Sequence, residues 1–170
     1  MSAIDYKLVV NDTDTKWTEV TKKIINGIMD YASKTEKFRT VRIGENTEID
    51  NLPGFYIIFP GLDRQGQISY NRTTNLYSLD CLYTVKGANA QDALQILIEL
   101  HGELLKKIEQ DHDMSGGGTP TVIDEGVPQV HNVQAMGFVT GSDAKQAPAS
   151  HEYLYGATTI QVETKINLRG

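Results

Sequence analysis

The chain has one cysteine, Cys81, in 170 residues, so no disulfide can form within it. It has no apolar run approaching the roughly 20 residues of a membrane-spanning helix. Its first residues, Met1–Val10, lack the basic segment followed by an apolar one that marks an export signal. Basic residues are outnumbered, 16 Lys and Arg against 22 Asp and Glu, for a net charge of −6. They never cluster beyond two in a row, whereas gripping phosphates needs grouped Lys and Arg. Nucleotide and hydrolase signatures are missing too. Gly116-Gly117-Gly118-Thr119 lacks the lysine of a phosphate-binding loop, no GxGxxG follows a strand, and no GxSxG elbow occurs. Repeats of 20–50 residues are also absent.

What the chain does contain is a strand running straight into a long helix, at 76–112. Tyr77, Leu79, Cys81, Tyr83 and Val85 alternate with Ser78, Asp80, Thr84 and Lys86, with Leu82 the one apolar residue in the second set. That is the period of a strand with one buried face. Lys86-Gly87 ends it, and Asn89 suits a helix N-cap, with Asp92 in the first turn at the positive pole of the dipole. Leu94, Leu97, Ile98, His101, Leu104, Leu105 and Ile108 then recur at helical steps. Ala93, Ile96 and Leu100 widen this stripe enough to cover two neighbours.

The length fits one domain, 15–170, preceded by an arm at 1–14. Asp12-Thr13-Asp14-Thr15 is a helix start, and Trp17, Val20, Ile24, Ile28 and Tyr31 predict a helix over about 15–33, with Trp17 in the core. Alternation predicts a strand at 38–43. The run at 55–59 reads as a buried strand stopped by Pro60-Gly61. Imperfect alternation at 131–140 sets Val133, Ala135, Gly137 and Val139 against Met136 and Phe138, and a long last strand covers about 153–168. Polar, flexible loops are expected at 61–75, 113–128 and 141–152, the first of them a loop or an exposed hairpin tip. Short links between consecutive strands favour antiparallel pairing. The expected class is α+β: a mostly antiparallel sheet with two helices packed on one face, the other face being wet or used by another subunit.

No catalytic constellation emerges. Asp111-His112-Asp113 offers three adjacent metal donors, which point in different directions at a helix end; a metal hydrolase built on them is one open alternative. Asp124-Glu125 pairs carboxylates in a Gly/Pro-rich loop, where a solvated acidic surface is the plain reading. His101 lies on the apolar stripe, as a core or interface histidine or a pH-sensitive contact. Cys81 reads as a small core residue. The residues argue for a structural or binding protein with no cofactor, and against an enzyme.

This succession of elements resembles the tail terminator (tail completion, neck) proteins of tailed bacteriophages. The resemblance rests on the amphipathic first helix, the buried strand ending in Pro-Gly, the strand YSLDCLYTVKG feeding the helix ANAQDALQILIELHGELLKKI, and the final hairpin of long strands. It covers about 15–168 and is a pattern of elements with no residue signature. It implies a virion protein made in the host cytoplasm, self-assembled into a ring, typically a hexamer. Such a ring stops the tail tube, meets the head-tail connector and in some tails touches the sheath. Genomic DNA would slide through an acidic lumen without sequence-specific binding. The loops would then supply partner contacts, with Asp63, Arg64, Tyr70, Arg72, Asp124, Glu125, Asp143, Lys145 and His151 as candidates. Another neck or tail component, or a non-viral ligand- or peptide-binding α+β module, is the alternative.

Overall fold

The computed structural model describes residues 3–4, 7–44, 52–63, 68–69, 72–114, 123–124, 127–128, 130–142 and 152–167. Of these, residues 3–4, 59–63, 68–69, 72–76, 123–124, 127–128, 131, 142, 152–153 and 165–167 are described by their backbone alone. In chain order the elements are β1 (Ala3–Ile4), α1 (Lys16–Lys34), β2 (Thr40–Ile43), β3 (Gly54–Asp63), β4 (Ile68–Ser69), β5 (Arg72–Gly87), α2 (Ala90–Gln110), β6 (Ile123–Asp124), β7 (Val127–Pro128), β8 (Val130–Ser142) and β9 (Glu152–Asn167). The main sheet has the order β1-β2-β3-β5-β9-β8, with β4 also on β5. The fold is α+β, its sheet mostly antiparallel and its two helices on one face.

Both helices begin where their caps dictate. Thr15 accepts from the amide of Thr18, and Asn89 Oδ1 accepts from the amide of Asp92 at 2.8 Å. Each cap satisfies one of the amide donors that a first turn leaves unpaired. Helix α1 lies against β1, β2 and β9, and α2 against β5, β9 and β8. The helices meet at their far ends, where the Tyr31 hydroxyl donates to the Asp111 carbonyl. Strand β5 carries the core: Tyr77, Leu79, Cys81, Tyr83 and Val85 are all buried, as the alternation predicts. Register continues this face across the sheet in rows, Ile57–Cys81–Thr158 and Tyr77–Val162–Val133 among them.

Several expectations need correction. Strand β3 does not stop at Pro60-Gly61 but runs to Asp63, antiparallel to β5, which begins at Arg72, so the ends of the stretch at 61–75 are paired as in the hairpin alternative. Pro60 is tolerated because β2 ends at Ile43, opposite Ile57. Beyond that point β3 has no described neighbour on its outer side, and a missing N–H costs no ladder bond. The β2–β3 pair is parallel, because the link over 44–53 is long enough to return to the starting end. A short β6–β7 ladder occupies part of the stretch at 113–128 expected to be a flexible connection.

On α2 the buried stripe is Ala93, Leu97, Leu100, Leu104 and Ile108, while Leu94 and Ile98 are exposed. Ten apolar positions around one helix leave its inward side undetermined by periodicity; packing against β5 and β9 chooses it. Trp17 is 45% exposed, not core, because the first turn of α1 precedes the point where Thr21 meets Tyr77 (3.0 Å between hydroxyl oxygens) and packing begins.

Leu97→Ala removes a fully buried side chain at the centre of the stripe and is expected to cost about 2–5 kcal/mol. Leu94→Ala, one turn away on the exposed side, stays within about 0.5 kcal/mol in dilute solution. Urea unfolding of the two variants measures both.

Candidate functional site

The geometry draws attention to the border of the molecule formed by β8 and α2. Strand β8 is the last strand of the sheet, bonded to β9 and to no other described strand. After a first slip between Val130 and Asn132 the register is regular to Met136, with Val133 and Ala135 facing the helices. Between Met136 and Val139 the register slips. Gly137 sits there at φ +73°, a left-handed backbone that a side chain resists. The extra residue reverses the alternation. Phe138 therefore turns inward and Val139 outward, the opposite of what uninterrupted alternation assigns to both.

Phe138 packs on the sheet over Gly156, where an added Cβ would come within 2.8 Å of its ring. Its other side stacks on His101 of α2, with centroids 4.4 Å apart and planes 13° from parallel. Tyr83 Oη lies 2.8 Å from His101 Nδ1. The stripe histidine is thus a half-buried tie between helix, central strand and edge strand. Burial lowers its pKa below the ordinary histidine value, as desolvation disfavours the imidazolium. In the neutral tautomer protonated at Nε2, Nδ1 accepts from the Tyr83 hydroxyl; in the other it donates to it. Burial also holds the Tyr83 hydroxyl and the Cys81 thiol in their protonated forms, with charge from neighbouring groups adding to it. Cys81 is a packing residue, fully enclosed and unsuited to nucleophilic work.

Around this tie the surface is apolar on both sides of the edge. On the helix side, Leu94 is 40% exposed and Ile98 56%, in line with the half-buried His101 and Leu105. On the open face of the sheet, Met136 is 46% exposed and Val139 66%. From Val139 the same row continues through the half-buried Ala157 and Leu82 to Tyr56, which is buried. A second exposed apolar segment lies elsewhere. The arm carries Val9, 71% exposed, and Val10. It is pinned along α1 by paired hydrogen bonds between the Leu8 backbone and the Asn26 amide (2.8 and 2.9 Å), and by a Lys7–Asp30 ion pair at 2.7 Å.

A groove of about 370 Å³ opens on the opposite flank of α2, lined by Lys37, Pro53, Ile96, Glu99, Leu100 and Glu103. Among the described residues no three His, Cys, Asp or Glu side chains converge as metal ligands, and Asp111, His112 and Asp113 form no such group. No helix of the described residues is long and apolar enough to cross a membrane.

Of the loop residues named from the sequence, Asp63, Arg72 and Asp124 fall in β3, β5 and β6, with their side chains outside the described set. Arg64, Tyr70, Glu125, Asp143, Lys145 and His151 lie wholly outside the described residues. Sequence reasoning passed over β8 and the arm as sites. One signal for β8 was available: in a chain with 22% charged residues, Val130–Ser142 contains no Asp, Glu, Lys or Arg. No family model matches the chain, and no curated protein matches it.

The lowered pKa of His101 has a stability consequence. The unfolded chain takes up a proton near pH 6.5, where the folded chain still resists it. The stabilisation from the neutral ring is therefore full above that pH and is lost as pH falls through it. Urea midpoints compared between pH 7.5 and 5.5 are expected to fall further for the wild type than for His101→Gln, which carries no titrating ring.

Proposed function

We propose that this chain is a structural virion protein, a ring-forming tail terminator that caps the tail tube and presents a surface to the head-tail connector. The observation that carries the reading is the edge strand β8, which bonds to no described strand but β9 and holds no Lys, Arg, Asp, Glu or Pro. An exposed strand of 13 residues is a template for pairing with other chains. Proteins that stay apart blunt such edges with lysine, proline or other charge, and β8 has none. Exposed apolar side chains flank it on both faces of the sheet, which marks a surface that is covered in use. An assembly protein needs such a surface, and the order of elements that resembles the terminators supplies the biological setting. The acidic balance, −6, suits a ring through which DNA slides. No step in this function makes or breaks a bond. The chain works by shape, through a contact repeated until it closes.

The groove beside Glu99 and Glu103 favours a second reading, a module that binds a small cationic ligand or peptide. Its lining sets two carboxylates, Glu99 and Glu103, against one cation, Lys37, among the apolar Ile96, Leu100 and Pro53.

Polymerising tail-tube protein of the same virus, with and without this chain, tests the first reading by electron microscopy. Tubes capped by a ring and arrested in length are expected. Tubes that grow uncapped, with the chain left free in solution, would reject it.

A further inference from the structure

We infer that the groove between α2 and the connections preceding β2 and β3 is a docking site for an arginine side chain of a partner protein. The inference deepens the second reading above and rests on it for the groove being a binding site. It does not depend on what the chain caps.

The groove is built from two walls. On α2, Ile96, Glu99, Leu100 and Glu103 recur at steps of three and four, so they share one flank of the helix. The other wall holds Lys37 and Pro53, which lie on the connections before β2 and β3. A hydrogen bond from the Arg39 amide to the Pro53 carbonyl, 2.8 Å, ties those connections together. The floor is apolar: Leu100 is buried and Ile96 half-buried. The volume of about 370 Å³ lies near the lower end of ligand pockets, roughly 300–1,000 Å³. That suits one long side chain with the backbone that carries it.

The carboxylates on this wall are not neutralised. Glu99 and Glu103 are like charges one helical turn apart, a spacing that costs a helix stability. Among the described residues neither has an ion pair; Glu99 accepts a long bond from the Gln95 amide, 3.3 Å. Lys107 stands at the favourable i+4 spacing from Glu103 and does not pair with it. Lys37, exposed on the opposite wall, pairs with neither.

Two neighbouring anions beside an apolar floor call for a cation that can touch both and gives up water readily. A guanidinium does this: it is planar, carries N–H donors along more than one edge, and is less tightly hydrated than an ammonium. The methylene stem of an arginine covers Ile96, Leu100 and Pro53, as long cationic side chains cover apolar surface. Lys37 argues for the backbone. Its ammonium repels a bare cation, and it is satisfied by a carbonyl of the chain that bears the arginine. The lining therefore fits an arginine within a peptide better than a free guanidinium compound.

NMR titration of the Ile96 and Leu100 methyl signals, at neutral pH and low salt, tests this. The probe is acetyl-Gly-Arg-Gly-amide, expected to saturate with a Kd on the order of 1 mM. The lysine version of the peptide is expected to bind about fivefold more weakly, and the neutral citrulline version about tenfold or more. N-ethylguanidinium, the head without a backbone, is expected to bind about fivefold more weakly. The double variant Glu99→Gln/Glu103→Gln alters two side chains on the helix surface, and an unchanged urea midpoint shows that it folds. Its affinity for the arginine peptide is expected to fall about tenfold. Absence of saturable shifts with every probe overturns the inference and the second reading together. Equal binding of the lysine peptide overturns the arginine assignment and leaves a cation-binding groove. Equal binding of N-ethylguanidinium overturns the partner protein and leaves a small-ligand site. Undiminished binding by the double variant, or equal binding of the citrulline peptide, also overturns the inference, because the carboxylates would then not be what holds the probe.

Discussion

β5 and β9 pair over 16 consecutive residues without a slip, from Arg72 opposite Asn167 to Gly87 opposite Glu152. Everything else hangs on that ladder. A register shift of one residue would turn Tyr77, Leu79, Cys81, Tyr83 and Val85 away from Ile160 and Val162 and expose the whole inner face. The ladder fixes the row in which Tyr83 lies beside Phe55, Gly156 and, through the bulge in β8, Phe138. It also decides that β9, the last strand in the chain, is inserted between β5 and β8. That insertion leaves β8 at the border, bonded to β9 alone among the described strands. The core and the border position of β8 are consequences of the same pairing.

The bulge at Gly137 shows how the two are joined. Without it, Phe138 would face the open side of the sheet and Val139 the helices. With it, a large ring locks the edge strand to His101 and the core, and a smaller branched side chain is left outside. The edge strand is thereby tied to the helix layer by ring packing, not by charge.

Local features were legible in the sequence because their causes are local. The Asn89 cap, the alternation from Tyr77 to Val85 and the stripe of α1 from Val20 to Tyr31 need only neighbouring residues to define them. Features set by distant chain were not. Pro60 reads as a stop unless it is known that β2 ends opposite Ile57. The inward side of α2 is chosen by β5 and β9 from apolar residues spread around the helix. The reversal at Phe138 needs the register of β9. The candidate site was half-legible for the same reason: the surplus breadth of the α2 stripe announced a second neighbour, but only the strand order shows that Leu94 and Ile98 share a border with β8. The polar loops drew attention instead, since length and polarity are visible in a sequence and edge position is not.

Hydrogen exchange along β8 tests the central claim most directly. Alternate amides of an edge strand point away from the sheet and exchange quickly unless another strand accepts them. At concentrations on the order of 100 µM, the outward amides of β8 are expected to exchange more slowly in the wild type than in Ile98→Asp. Fast exchange of the outward amides in the assembled protein would contradict the account, because the edge would then be open to water and the contact between copies would lie elsewhere.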